Sequence, residues 1–322
     1  MKKQWVNAGF SLVEFLIAIV ISLLLMVGVI TAYLSQKKTY QLAQGLERMQ
    51  ENGRLATQYL RKEICMAGYV GCGRLTEINL QNPFTKIDFN LTTALVGFHQ
   101  QRSTNKYFST GLASTFTLLK PGTDLLLLQE ASSEAWPAHG KDQQISLQSK
   151  ANFKVGNLLL ISNCGQGNFF QVAKIQKSIL QTTLPLAMQY QSSDSQVSRF
   201  LTIVYYVAAT GRKNLAGNEI YALYRRDLND AATRPNELLE GVDDLQIQYG
   251  VALEPGGPLH FYTAAQVPDW QKIRLVQLAL LLTSVQALAD APQSYRFQKR
   301  EYLAKDRCLH REWDISVALR ER

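Results

Sequence analysis

An uncharged run of 22 residues near the N-terminus, positions 15–36, constrains this chain more than any other feature. A helix of that length rises roughly 33 Å, about the thickness of a bilayer core. A secretory signal would carry a shorter apolar region, followed by a small-x-small cleavage site. No such site follows here, so the run reads as a membrane span. Lys2 and Lys3 precede it and Lys37 and Lys38 follow it, so the charge rule alone does not orient the span. Glu14 stands at the entrance of the apolar run, four residues after Phe10. A carboxylate at bilayer depth costs about 2.5–3.5 kcal/mol on insertion scales. It therefore calls either for water at the headgroups or for a cationic partner within the apolar layer.

The helical pattern does not stop at the membrane. Small or apolar residues fall at Leu42, Leu46, Met49, Gly53, Ala56, Leu60, Ile64 and Ala67, in steps of three and four. Charged and amide side chains fill the opposite face, no proline occurs before Pro83, and Gly68 supplies a stop. One helix over residues 10–67 is predicted, its first half in lipid and its second half laid by one face on a folded domain. Gly28, Gly45 and Gly53 either mark bends or close contacts, or are simply tolerated.

Beyond Gly68 the period changes. Short apolar runs bounded by turn residues at 125–128, 158–162, 169–175, 201–207, 220–224, 245–249 and 273–283 read as strands. The polar stretch 189–198 reads as a loop. Hydrophobic residues make up 46% of the chain and charged residues 19%, enough apolar content for a real core. The expected fold class is α+β, with the long helix packed on a mostly antiparallel sheet that occupies residues 68–322.

The sequence around Glu14 is informative. Gly9-Phe10-Ser11-Leu12-Val13-Glu14, after a short basic leader, resembles the processing motif of type IV prepilins. The resemblance implies a leader at residues 1–9, cleavage between Gly9 and Phe10 by a prepilin peptidase, and N-methylation of Phe10. It also implies that the freed Phe10 amine neutralises Glu14 as subunits assemble. Loss of Lys2 and Lys3 would leave a mature net charge of +6 in place of +8 (32 basic minus 26 acidic residues).

Further blocks resemble the PilW branch of minor pilins: Tyr40 with Arg48-Met49-Gln50-Glu51-Asn52-Gly53-Arg54, and Ala67-Gly68-Tyr69-Val70-Gly71-Cys72. Ile161-Ser162-Asn163-Cys164, Phe170-Gln171-Val172, Leu223-Tyr224-Arg225, Tyr249-Gly250 and Val317-Ala318-Leu319-Arg320 belong to the same set. So does Leu239-Glu240-Gly241-Val242-Asp243-Asp244-Leu245-Gln246. Asn163 departs from the pattern, which commonly has aspartate there. The resemblance implies a pilin-like fold and a structural subunit that primes pilus assembly and sits at the tip, serving twitching motility, adhesion or DNA uptake. Its implied partners are other minor pilins, the major pilin, the prepilin peptidase, the inner membrane and a large tip adhesin. Its implied location is the inner membrane, with a periplasmic head, before assembly and the pilus afterwards. A type II secretion pseudopilin shares leader and helix, although similar pseudopilins are usually shorter. A membrane-tethered periplasmic binding protein or hydrolase is the alternative from another class.

Four cysteines, Cys65, Cys72, Cys164 and Cys308, allow three pairings. Cys65 and Cys72 would lie about 10 Å apart along an unbroken helix, too far for a bond. Cys72 and Cys164 fall in two of the PilW-like blocks, so the resemblance implies that they pair. Cys65 with Cys308 follows if a second bond forms.

No catalytic constellation emerges, and the chain is expected not to be an enzyme, with neither cofactor nor metal. Gly165-Gln166-Gly167 opens like a dinucleotide motif but has Phe170 where the third glycine belongs. Glu240, Asp243 and Asp244 lack the alternating oxygen ligands of a calcium loop and read as a turn. The run from Tyr221 to Arg226 interleaves aromatics with arginine, as a nucleic-acid surface would. A cross-strand aromatic pair is the other reading of it.

Overall fold

A computed structural model of the chain describes residues 11–71, 79–81, 93–99, 119–229, 234–254 and 256–319. The helical period is realised as one α-helix, α1 (Leu12–Met66), of 55 residues and hence roughly 82 Å. Ser11 caps its start by accepting from the Glu14 amide at 3.2 Å. Ala67 leaves helical geometry with ψ 127°, and Gly68 follows at φ +80°. There the Gly68 amide donates to the Gln129 carbonyl at 2.7 Å, handing the chain over to the sheet.

Sixteen strands are described: β1 (Asn79–Gln81), β2 (Leu95–His99), β3 (Asp124–Lys141), β4 (Gln144–Leu147), β5 (Leu158–Ser162) and β6 (Gln166–Gln176). β7 (Ile179–Thr182), β8 (Gln196–Lys213), β9 (Glu219–Asp227), β10 (Asn236–Glu240) and β11 (Val242–Ala252) follow. The last are β12 (Leu259–Tyr262), β13 (Ile273–Thr283), β14 (Gln293–Phe297), β15 (Arg300–Ala304) and β16 (His310–Ala318). Among them β1 with β6 is the one parallel pair.

The strands make two main sheets, a ring and a separate β14–β15 hairpin. The first sheet runs β10-β9-β8-β3-β2. The second runs β12-β11-β13-β16. β3 and β8, 18 residues each, are longer than either sheet needs. Their far halves leave the first sheet and close a ring with four short strands, in the order β8-β5-β6-β7-β4-β3. A register shift between Ala131 and Ala135 marks where β3 changes role, as a bulge bends a strand out of its sheet. Closure leaves the ring no free edges, and alternate residues fill its own core: Ile145, Leu147, Leu159, Ile161, Phe170, Leu180 and Val197. The ring places residues 196–198 in β8, so the loop expected over 189–198 is shorter than the sequence suggested, and Tyr190 within it is buried.

The two sheets share the main core with α1. Leu126, Ile203, Tyr205 and Leu223 of the first sheet meet Leu245, Ile247, Leu278, Leu280 and Ile315 of the second. Gly241 joins them. Its amide donates to the Tyr221 carbonyl of β9 at 2.9 Å, and its carbonyl accepts from the Thr283 amide of β13 at 2.8 Å. The residue sits at φ +77°, and a Cβ there would lie 2.5 Å from the Thr283 carbonyl oxygen. Only glycine lets the chain pass between the sheets at this point.

Candidate membrane and assembly surface

α1 divides into two working halves. From Leu12 to Leu34 its apolar side chains are exposed, and no part of the described head covers them. By length and composition this half is able to cross a membrane. Glu14 lies in its first turn, three residues after the Ser11 cap, which is the capping-box spacing. Capping and the helix dipole favour a carboxylate there by about 0.3–1 kcal/mol, less than the cost of placing one in hydrocarbon. Gly9 and Phe10, the predicted cleavage and methylation positions, lie outside the described residues.

The second half is seated on the head. Met49, Gly53, Ala56, Leu60 and Ile64, all from the predicted stripe, are its buried residues. Trp313 of β16 lies flat against Gly53, in the space a Cβ would take, and its indole N–H donates to Thr57 Oγ1 at 3.0 Å. Asn52 Nδ2 donates to the Glu240 carbonyl at 2.7 Å, beside the Gly241 crossing. Leu288 fills the space above Gly45. Gly45 and Gly53 are therefore close contacts, whereas Gly28 has nothing near it. The two blocks 48–54 and 239–246 meet at this joint.

A charged cluster lies under the end of α1. Arg225 of β9 reaches Glu63 at 3.5 Å, and Glu130 of β3 is buried nearby. Burial first, and the Glu63 charge second, push the Glu130 carboxyl from 4.5 up to about 7. A carboxyl with a raised folded pKa holds more protons folded than unfolded across that interval, so stability falls as pH rises from about 4.5 through about 7. The shift corresponds to roughly 3 kcal/mol at 1.36 kcal/mol per pH unit. Glu130→Gln is expected to flatten this dependence, raising the melting temperature at pH 8 and changing it little at pH 5. Thermal melts of the detergent-solubilised chain across pH check it.

A second pair, of buried Asp124 with half-buried His99, ties the sheets together. His99 Nδ1 meets Asp124 Oδ1 at 2.5 Å, and the Asp124 Oδ2 accepts from the Ile247 amide of β11 at 2.7 Å. Burial nevertheless raises the Asp124 carboxyl above its ordinary range, against the pull of both partners. Glu240, Asp243 and Asp244 do not converge on a common point: Glu240 pairs with Arg212, Asp243 with Lys120, and Asp244 accepts from Gln246. Among the described residues no three His, Cys, Asp or Glu side chains form a group able to hold a metal ion. Tyr224 stacks on Tyr206 across the β8–β9 register at 5.7 Å, the cross-strand pair expected of that run.

The cysteine expectation needs one correction. Cys65 and Cys308 are both free, so the second disulfide is not formed. The two side chains have different surroundings: Cys308 packs beside the β8–β9 turn and the end of β13, where Asn214 Nδ2 lies 3.7 Å from its sulfur and Ser284 Oγ accepts from the Leu309 amide at 2.8 Å. Cys65 lies in the last turn of α1. Cys164 is disulfide-bonded. Cys72 lies outside the described residues, but the chain just before it runs beside the end of β5, two residues before Cys164, where Ser162 Oγ donates to the Val70 carbonyl at 3.0 Å.

Residues 204–320 match the family model described as type IV pilus-assembly protein W. The matched stretch contains β9–β16 and hence the second sheet, Trp313 and the Gly241 crossing, the platform on which α1 is seated. No curated protein and no solved structure matches the chain.

Proposed function

From the premise that residues 204–320 are a region of the pilus-assembly protein W family, we propose that the chain is a minor pilin, a structural subunit rather than an enzyme. The observation that carries the reading is the joint between the two halves of α1. The half able to cross a membrane is bare of any covering from the described residues of the head, and the other half is fixed to a platform built from the matched region. A subunit of this shape is held in a bilayer while unassembled, and exchanges lipid for neighbouring helices when it enters a filament. In this reading the leader is removed after Gly9, Phe10 carries the new amine, and the head faces the periplasm from the inner membrane. Other minor pilins and the major pilin pack along the bare half, and the broad head is carried at the tip. Cys72 is the partner of Cys164, fastening the chain after α1 to the ring.

Type IV pilus involvement is supported by the family match, which also favours this reading over a secretion pseudopilin. Deletion of the gene tests it. Surface pili are expected to fall severely in number and to return with the intact gene. Normal piliation in the deletion strain, with loss of protein secretion instead, would transfer the chain to a type II system.

A further inference from the structure

The helix fixes how high above the membrane each part of the head stands, and one rim of it stands very low. The uncharged run ends at Gln36, so Lys38 is about 3 Å and Gly45 about 13 Å above that level along α1. The headgroup layer on one side of a bilayer is itself roughly 5–7 Å deep. Lys38 forms an ion pair with Asp290, and Leu288 packs on Gly45. The loop between β13 and β14 therefore descends to headgroup level.

Two other loops are tied to it. The Ala289 amide donates to the Arg307 carbonyl at 2.9 Å, which brings Lys305 and Arg307 to the rim, both exposed. The Leu215 amide approaches Gln286 Oε1 at 3.3 Å, and Leu215, at the tip of the β8–β9 turn, is 96% exposed. The acids of the rim are fewer than its basic residues. Asp290 holds Lys38, and Asp306 accepts from the Cys308 amide at 3.0 Å and faces His310 at 3.4 Å. What remains outward is positive charge around one bare leucine.

We propose that this rim, formed by Lys37, Leu215, Lys305 and Arg307, is a docking surface for the anionic phospholipid headgroups of the leaflet from which α1 emerges. The inference rests on the membrane-anchored reading of α1. Basic side chains near an anionic surface are attracted to it at short range, each contributing about a fivefold gain in partition. Seated in this way, the head of the unassembled subunit cannot swing freely, and leaving the leaflet for a filament means breaking the contact.

The test uses the full chain embedded in lipid nanodiscs, with and without phosphatidylglycerol in a phosphatidylcholine background, followed by hydrogen exchange. Amides at 214–217, 289–291 and 305–308 are expected to exchange about fivefold more slowly in the anionic discs. High salt should remove that difference, because the attraction is screened. A Lys305→Gln/Arg307→Asn variant should also lose it, with β13 exchange unchanged as the folding control; asparagine suits the φ of 58° at position 307. Equal exchange in both discs with the chain embedded would overturn the proposal and leave the anchor intact. Failure of the chain to enter either disc would overturn the anchor and the proposal together.

Discussion

Gly241→Val is expected to lower the stability of the head by about 3–5 kcal/mol, combining the left-handed backbone cost of a β-branched residue with overpacking. Position 241 has φ +77°, and the new Cβ would press on the Thr283 carbonyl oxygen at 2.5 Å. That carbonyl belongs to backbone, which cannot rotate away as a side chain would. Relief would require the sheets to part, breaking the Tyr221 and Thr283 hydrogen bonds that cross there. It would also shift Glu240, whose carbonyl holds Asn52 of α1. For a domain of this size the loss corresponds to a drop of roughly 10 °C in melting temperature. Gly217→Val is the comparison: it has φ +84° but open space around it, so only the backbone cost applies. Equal losses at the two positions would show that the close approach to Thr283 contributes nothing.

Glu14→Ala is expected to leave membrane insertion as good or better, while reducing recovery of the chain in sheared pili about tenfold or more. Insertion should improve because a carboxylate is removed from an apolar run. The capping-box spacing with Ser11 and the helix dipole also favour a carboxylate at position 14, but by too little to account for a charge at this depth. A carboxylate retained there needs a cation, and in the proposed mature subunit the Phe10 amine is the nearest one. Each 1.4 kcal/mol of lost pairing changes an association tenfold. Glu14→Gln separates the roles, since it keeps a side chain able to cap and loses only the charge. Equal recovery of both variants and the parent in sheared pili would make Glu14 a capping residue alone.

Much of the helix and its seat is legible in the sequence, for physical reasons. A strict 3.6 period puts all five buried residues of α1 on one stripe. β5 and β13 are readable to their ends because strands buried on both faces appear as predominantly apolar runs, broken in β13 only by Arg274 and Gln277. The short ring strands β4 and β7 are not readable. β4 and β7 have four residues each and bury only alternate ones, too short a signal to separate from loop. β14 and β15 are polar, exposed strands whose turn places Gln298 and Lys299 at positive φ without a glycine to announce it. Trp313 as the anchor of α1 escapes a sequence reading, because nothing in the run His310–Ala318 marks which side chain meets a glycine far upstream in the chain. The signal lies at the other end, in Gly53 on an otherwise apolar stripe. The Cys65–Cys308 expectation fails because pairing by elimination takes no account of where the side chains stand, Cys308 beside Asn214 and Cys65 in the last turn of α1.

Whether the N-terminus is processed as a pilin's is decides between a filament subunit and a merely tethered head. The mass of the chain extracted from membranes of a cell with active prepilin peptidase measures this directly. The expected result is a mature protein that begins at Phe10 and carries one added methyl group on its amine, with Gly9→Val leaving the leader attached. A chain that still begins at Met1 in such a cell would contradict the assignment as a pilin.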